Sequence, residues 1–151
     1  MIERVIPDFD LAQIAQSGQC FRFRRLGDAR WSLIAGERYI ELEQRGETVR
    51  FGCSEDEFEA FWREYFDLDA DYGRYKAAVA KRDAYLQAAV RAGGGLRILR
   101  QDLWETIVCF IISQQNNIAR ITKCVENLCV LCGEARRNAA GEAYYAFPAA
   151  E

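Results

Sequence analysis

The chain has 151 residues, half of them hydrophobic and 28% charged, the balance of a folded globular protein and not of a disordered one. Its net charge of -3 argues, taken alone, mildly against a nucleic-acid partner, because affinity for phosphate rests on Lys and Arg. Histidine is absent, which excludes zinc catalysis and Ser-His or Cys-His nucleophile pairs within these residues.

In chain order, 10–16 reads as a short helix with Leu11, Ile14 and Ala15 on one side. Four strand-like runs follow at 20–26, 31–35, 38–44 and 48–51, each carrying β-branched or aromatic residues. Gly27-Asp28, Gly36-Glu37 and Gly46-Glu47 separate them, and three hairpin turns in succession predict an antiparallel sheet. Ser54 followed by Glu57 predicts a reciprocal helix cap, with Phe58, Phe61, Trp62 and Tyr65 at helical spacing behind it. A turn at 67–71 leads to a segment at 72–80 and a helix over 82–92, which Gly93-Gly94-Gly95 is expected to end through glycine's left-handed conformation. Asp102 with Glu105 predicts a second cap, before a buried helix carrying Ile107, Val108, Ile111 and Ile112. Ile118, Ile121, Val125, Leu128 and Cys129 form the stripe of the next helix, and after Gly133 the pattern weakens. The fold class expected is α+β, with a sheet domain over 1–70 and a partial helical domain over 71–151.

Charge is unevenly placed. From Ser54 to Asp71 eight acidic residues face Arg63 alone, whereas Arg91, Arg97, Arg100, Arg120 and Lys123 outnumber Asp102 and Glu105 in the later stretch. Such a locally basic face is compatible with DNA. The six cysteines accompany no apolar leader and no membrane-length apolar run, so free thiols in a reducing cytoplasm or nucleus are expected. Cys124, Cys129 and Cys132 have the spacing of an iron–sulfur loop but fall in helical pattern, where small core residues are the better reading; no metal and no cofactor are expected.

Two local sequences stand out together. One is Ser17-Gly18-Gln19-Cys20-Phe21-Arg22-Phe23; the other is Ser113-Gln114-Gln115-Asn116-Asn117-Ile118-Ala119-Arg120-Ile121. Both resemble signature segments of the 8-oxoguanine DNA glycosylases of the helix-hairpin-helix superfamily. The stretches Ile98 to Asp102, Trp104-Glu105 and Tyr145-Ala146-Phe147-Pro148 are similar to the same family's landmarks, in the same order. The family's module is a small antiparallel sheet with flanking helices, like that of the TATA-binding protein, followed by a helical domain.

The resemblance implies removal of 8-oxoguanine from double-stranded DNA in base-excision repair, with an abasic-site lyase step, by a monomer that needs no membrane. Such an enzyme extrudes the damaged base and reads it in a pocket. 8-Oxoguanine carries a proton on N7, where guanine has an acceptor. A backbone carbonyl at that point bonds the lesion and repels the normal base. The resemblance gives this role to Gly18, within a lesion-binding segment of Gly18, Gln19, Cys20 and Phe21; the plain alternative for Gly18 is a helix C-cap, and the two are compatible. Gln115, Asn116 and Asn117 would fill the gap left in the duplex, and Arg120 would address the orphaned cytosine. One of the two asparagines is expected to cap the following helix. Gln115 stands where the family usually has asparagine, and Leu103 where it usually has proline.

The family's nucleophilic lysine and its aspartate belong to a helix-hairpin-helix segment that these residues do not include. Lys76, Lys81 and Lys123 are the only lysines, and none has that context. The expectation is therefore a chain inactive by itself. The alternatives are a non-enzymatic DNA-binding module, a glycosylase for another lesion such as an alkylated purine, and an interaction domain using the sheet edge or the aromatic helix.

Overall fold

The computed structural model describes residues 1–150; Glu151, the end of the expected second domain, lies outside them. The elements are β1 (Ile2–Val5), α1 (Leu11–Gln16), β2 (Phe23–Arg25), β3 (Arg30–Ala35), β4 (Arg38–Arg45), β5 (Thr48–Phe51), α2 (Glu55–Glu57), a π-helical turn (Phe58–Trp62), α3 (Arg63–Tyr65), α4 (Tyr72–Ala77), α5 (Ala84–Ala92), α6 (Leu103–Ser113), α7 (Ile118–Cys132), β6 (Ala135–Arg137) and β7 (Ala143–Tyr145). The strand order is β1-β5-β4-β3-β2, with a separate β6-β7 hairpin. The class is α+β, as the alternation of short strands and later helical stripes predicts.

By its contacts the chain forms two compact units. The first joins Met1–Gln19 to Glu43–Arg100; the second joins Cys20–Leu42 to the chain from Gln101 onward. Each unit is thus assembled from segments distant in sequence, and β4 passes through both.

In the first unit β1 pairs antiparallel with β5, Ile2 opposite Phe51 and Val5 opposite Thr48. Behind this pair lies an aromatic core. Phe51 meets Phe58 edge-on at 4.9 Å between centroids, and Phe66 packs on both Phe51 and Phe9. Ser54 caps α2 through the Glu57 amide at 3.2 Å. The reciprocal half of the expected cap is absent, because the Glu57 carboxylate accepts the Trp62 indole N–H at 3.0 Å. The widened turn between them lets Phe58 and Trp62 both face the core.

Gly93-Gly94-Gly95 does follow α5, but not for the expected reason. Gly93 has a φ of −101°, and none of the three is left-handed. Gly95 is required by space: a Cβ there would run into Asp10, whose amide donates to the Gly95 carbonyl at 2.8 Å. Downstream, Arg97 is only 3% exposed. Its guanidinium donates to the carbonyls of Asp67 at 2.8 Å, Pro7 at 3.0 Å and Asp8 at 3.2 Å, and lies 4.5 Å over the Tyr72 ring.

In the second unit β2 pairs with β3, Phe23 opposite Leu33. Cys109, Ile121, Val125 and Cys129 form the core between α6 and α7, with Phe21, Ile112, Tyr145 and Phe147 packed against it. Here the structure corrects the expectation of a buried α6. Only Glu105 and Cys109 are buried on it; Ile107, Phe110 and Ile111 are exposed, Phe110 by 66%. The helix is apolar on both faces, so spacing alone could not tell which face meets the core. Asp102 caps it through the Glu105 amide at 2.9 Å. Among the described residues no helix is long and apolar enough to cross a membrane.

Candidate functional site

The first sequence motif begins at the end of α1. The Ser17 hydroxyl donates to the Ile14 carbonyl at 2.7 Å and closes the helix. Gly18 follows in the left-handed conformation, φ +78°, exposed, with nothing within 4 Å of where a Cβ would stand. It is a glycine past a helix end, as the plain reading has it, and an accessible one. No donor among the described residues takes its carbonyl.

Gln19 is built into the fold. Its side-chain amide donates to the Arg97 carbonyl at 2.9 Å and to the Ser17 hydroxyl at 3.0 Å, and its side-chain oxygen accepts the Leu99 amide at 3.0 Å. Cys20 is buried, and Phe21 packs on the core of the second unit.

The rest of the motif is structural as well. Arg22 is buried and donates to the carbonyls of Gly36, at 3.1 Å, and Tyr145. Glu105, from the Trp104-Glu105 landmark, accepts the Gly36 amide at 2.8 Å. Burial pushes the Glu105 carboxyl up, and Asp102 adds to this; the Gly36 amide and Arg22 draw it down less strongly.

The second motif forms a turn between α6 and α7. Gln114 closes α6 by its amide to the Ile111 carbonyl at 3.3 Å. Gln115 adopts a left-handed backbone, φ +50°, uncommon for a residue with a Cβ. The Asn116 side chain donates to the Ile112 carbonyl at 3.0 Å and accepts the Asn117 amide at 3.0 Å. Asn117 is the cap of α7, its side chain accepting the Arg120 amide at 3.1 Å. Asn116 and Asn117 therefore shape the turn, while Gln115 is exposed on it and Arg120 is exposed in the first turn of α7.

The basic stretch is narrower than its composition suggests. Arg97 is buried, and Arg100 pairs with Asp67 at 3.1 Å. Arg91 on α5 and Arg120 and Lys123 on α7 remain exposed. Lys76 is paired with Asp8 and donates to the Gly94 carbonyl. None of the six cysteines is in a disulfide, with Cys124 and Cys132 exposed and Cys129 buried. Among the described residues no group of three His, Cys, Asp or Glu could hold a metal ion. The roles of Gln19, Arg22 and Glu105 were not readable from spacing, because each depends on a partner 14 to 80 residues away in sequence.

Comparison with known proteins places these features in a family. Residues 2–107 match the family model of the 8-oxoguanine DNA glycosylase N-terminal domain. The N-glycosylase/DNA lyase of Saccharomyces cerevisiae is 29% identical over 93% of this chain and 41% of its own length. The 8-oxoguanine glycosylase/lyase of Clostridium acetobutylicum in its apo form is 41% identical, with a TM-score of 0.90 over 97% of this chain and 51% of that one. The same enzyme in complex with double-stranded DNA, cytosine opposite 8-oxoguanine, matches with the same TM-score of 0.90 and 41% identity, over 97% of this chain and 50% of that one. The chain thus spans about half the length of the relatives it matches. With a signature segment at the end of α1, a second between α6 and α7, and a fold that superposes on that of the glycosylases, the chain belongs to the 8-oxoguanine DNA glycosylase N-terminal domain family.

Proposed function

We propose that this chain is the lesion-reading part of an 8-oxoguanine DNA glycosylase/lyase, and that its ligand is duplex DNA with 8-oxoguanine opposite cytosine. The observation that carries the reading is Gly18, an exposed glycine carbonyl with no described donor, in a backbone conformation that leaves the space beside it open. The N7 proton of 8-oxoguanine supplies the missing donor; guanine presents a lone pair there instead. One such contact is worth about 1–3 kcal/mol. Gln115 at the tip of the α6–α7 turn fills the gap, and the Arg120 guanidinium offers its fork of donors to the orphaned cytosine.

The excision chemistry needs an amine that attacks the sugar. Lys76 is held by Asp8, and Lys81 and Lys123 are exposed to water, so none is set up for that role. On this reading these residues recognise the lesion, and none of their three lysines supplies the attacking amine. The test is a competition binding measurement with 8-oxoguanine:cytosine and guanine:cytosine duplexes of one sequence at one salt concentration, followed by borohydride trapping. A preference on the order of tenfold for the lesion, without a covalent adduct, is the expected result. Equal affinities would remove the reading, and a trapped adduct would remove the division of labour.

A further inference from the structure

We infer that Gln19 is a positioning residue: it fixes the direction of the Gly18 carbonyl by clamping the peptide after it to the 97–99 segment. The inference rests on Gly18 being the lesion reader. Gly18 has no side chain and no neighbour within 4 Å of where a Cβ would stand, so the 18–19 peptide is held only by the long bond of the Gln19 main-chain amide to the Ser17 hydroxyl, at 3.4 Å, and by what fixes the residues on either side. The constraint has to come from the flanking residues. On one side, Ser17 is tied to Ile14 through its hydroxyl. On the other, the Gln19 carboxamide engages the backbone of 97–99 in both senses, donating to the Arg97 carbonyl at 2.9 Å and accepting the Leu99 amide at 3.0 Å. The same amide nitrogen reaches back to the Ser17 hydroxyl at 3.0 Å, so the clamp spans Gly18.

The segment being clamped is itself tied into the first unit. Arg97 is buried beneath the carbonyls of Pro7, Asp8 and Asp67, and Leu99 is buried beside it. The Ile98 amide donates to the Tyr72 hydroxyl at 2.9 Å. Glutamine is the residue this arrangement asks for. It carries an NH2 group with two donors and a carbonyl acceptor in one plane, at the length that spans the gap. Leucine loses all three bonds. Ionised glutamate keeps the acceptor for Leu99 but sets a negative oxygen against the Arg97 carbonyl. Protonated glutamate restores a donor and an acceptor in nearly the same geometry.

That last property separates positioning from a general structural role. The lesion preference, the ratio of affinities for 8-oxoguanine:cytosine and guanine:cytosine duplexes, is measured for the whole chain and for Gln19→Leu and Gln19→Glu at about pH 7.5 and again at about pH 4, below the ordinary glutamate pKa of about 4.3. Hydrogen exchange at the Leu99 amide reports the clamp directly in the absence of DNA. The expected result is a preference that falls from about tenfold to near unity in both variants at the higher pH. The preference then returns at the lower pH in Gln19→Glu alone. A Gln19→Leu chain that loses Leu99 protection yet keeps its preference overturns the inference and leaves the reading of Gly18 intact. An unmodified chain with no preference overturns the reading, and the inference with it. If Gln19→Leu fails to fold, the pH-dependent return in Gln19→Glu decides the matter, and its absence counts against the inference.

Discussion

Arg22 and Glu105 lie 4.0 Å apart, both buried, and between them they take both main-chain polar groups of Gly36. The guanidinium donates to its carbonyl at 3.1 Å and the carboxylate accepts its amide at 2.8 Å. A turn glycine is thereby held from both ends by two residues of the family's signature segments. Desolvation outweighs these bonds, so the carboxyl titrates above its ordinary range. The folded chain therefore keeps this proton to a higher pH than the unfolded chain does. The group's contribution to stability is fully present below the unfolded carboxylate pKa of about 4.3 and is lost as pH rises through the raised folded value. Urea unfolding of the chain and of Glu105→Gln across this range is expected to show the difference in stability, chain minus variant, falling with rising pH. A difference that grows with pH would contradict it. Glu105→Ala, which strands both the Arg22 charge and the Gly36 amide, is expected to cost about 3–5 kcal/mol at neutral pH.

Gly95 and Gly94 provide a matched pair. A Cβ on Gly95 would meet the Asp10 backbone nitrogen at 2.7 Å and the Asp10 side chain closer still, whereas one on Gly94 would find its nearest neighbour at 3.5 Å. Asp10 is the cap of α1, and Gly95 also donates to the Gln13 side chain at 2.9 Å, so displacement of this segment disturbs the helix that ends at the Gly18 loop. Thermal unfolding should show Gly95→Ala destabilised by about 2 kcal/mol or more. Gly94→Ala should be neutral or stabilised by about 0.5 kcal/mol through the unfolded state. Similar losses for the two would mean that close packing is not what selects Gly95.

What the sequence made legible was local. Gly36 and Gly46 take the left-handed conformation that a tight hairpin turn needs, and each stands where a Gly-Glu pair interrupts alternating residues. The caps at Ser54, Asp102 and Asn117 follow from polar side chains placed before apolar stripes. What escaped was non-local. β1 pairs with β5 across more than forty residues and has no turn to announce it. The hairpin of β6 and β7 lies where the hydrophobic pattern weakens, held by the Asn138 amide on the Glu142 carbonyl and by a left-handed Gly141. Arg97 reads as surface charge in sequence and is the buried centre of the first unit, because its partners are carbonyls, which no sequence pattern displays. The place of Gly18 past the end of α1 was legible in the sequence; the bonds of Gln19 were visible only once 97–99 had been brought beside it.

The cysteines divide by environment. Burial pushes the Cys109 thiol up to about 12 and the Cys53 thiol up to about 11, and raises Cys129 as well. Cys20 is buried, while Cys124 and Cys132, both within α7, are exposed. Only the thiolate attacks a disulfide reagent. At pH near 8, an aromatic disulfide reagent should therefore modify Cys124 and Cys132 promptly and the other four only on addition of denaturant. Rapid modification of Cys109 in the native chain would show that the core between α6 and α7 opens.

Gln115 combines strain with exposure. Its φ of +50° sets its Cβ against the backbone, at a cost of roughly 1–2 kcal/mol for an ordinary residue. Asparagine tolerates this conformation better, because its short side chain bonds locally to the backbone. Gln115→Asn should accordingly raise the unfolding free energy by about 0.5–1 kcal/mol, while Gln115→Ala, which keeps the Cβ, should leave the strain in place and the stability nearly unchanged. Binding separates the two variants differently. If the side chain enters the gap in the duplex, alanine loses the amide that fills it and weakens affinity for lesion DNA; asparagine retains a shorter amide and keeps most of it. Urea unfolding and duplex titration of the same two proteins give both answers. A Gln115→Ala chain that binds lesion DNA as well as the original would take Gln115 out of the interface. A Gln115→Asn chain no more stable than the original would show that the turn, shaped by Asn116 and Asn117, holds this backbone at no cost to the residue at its tip.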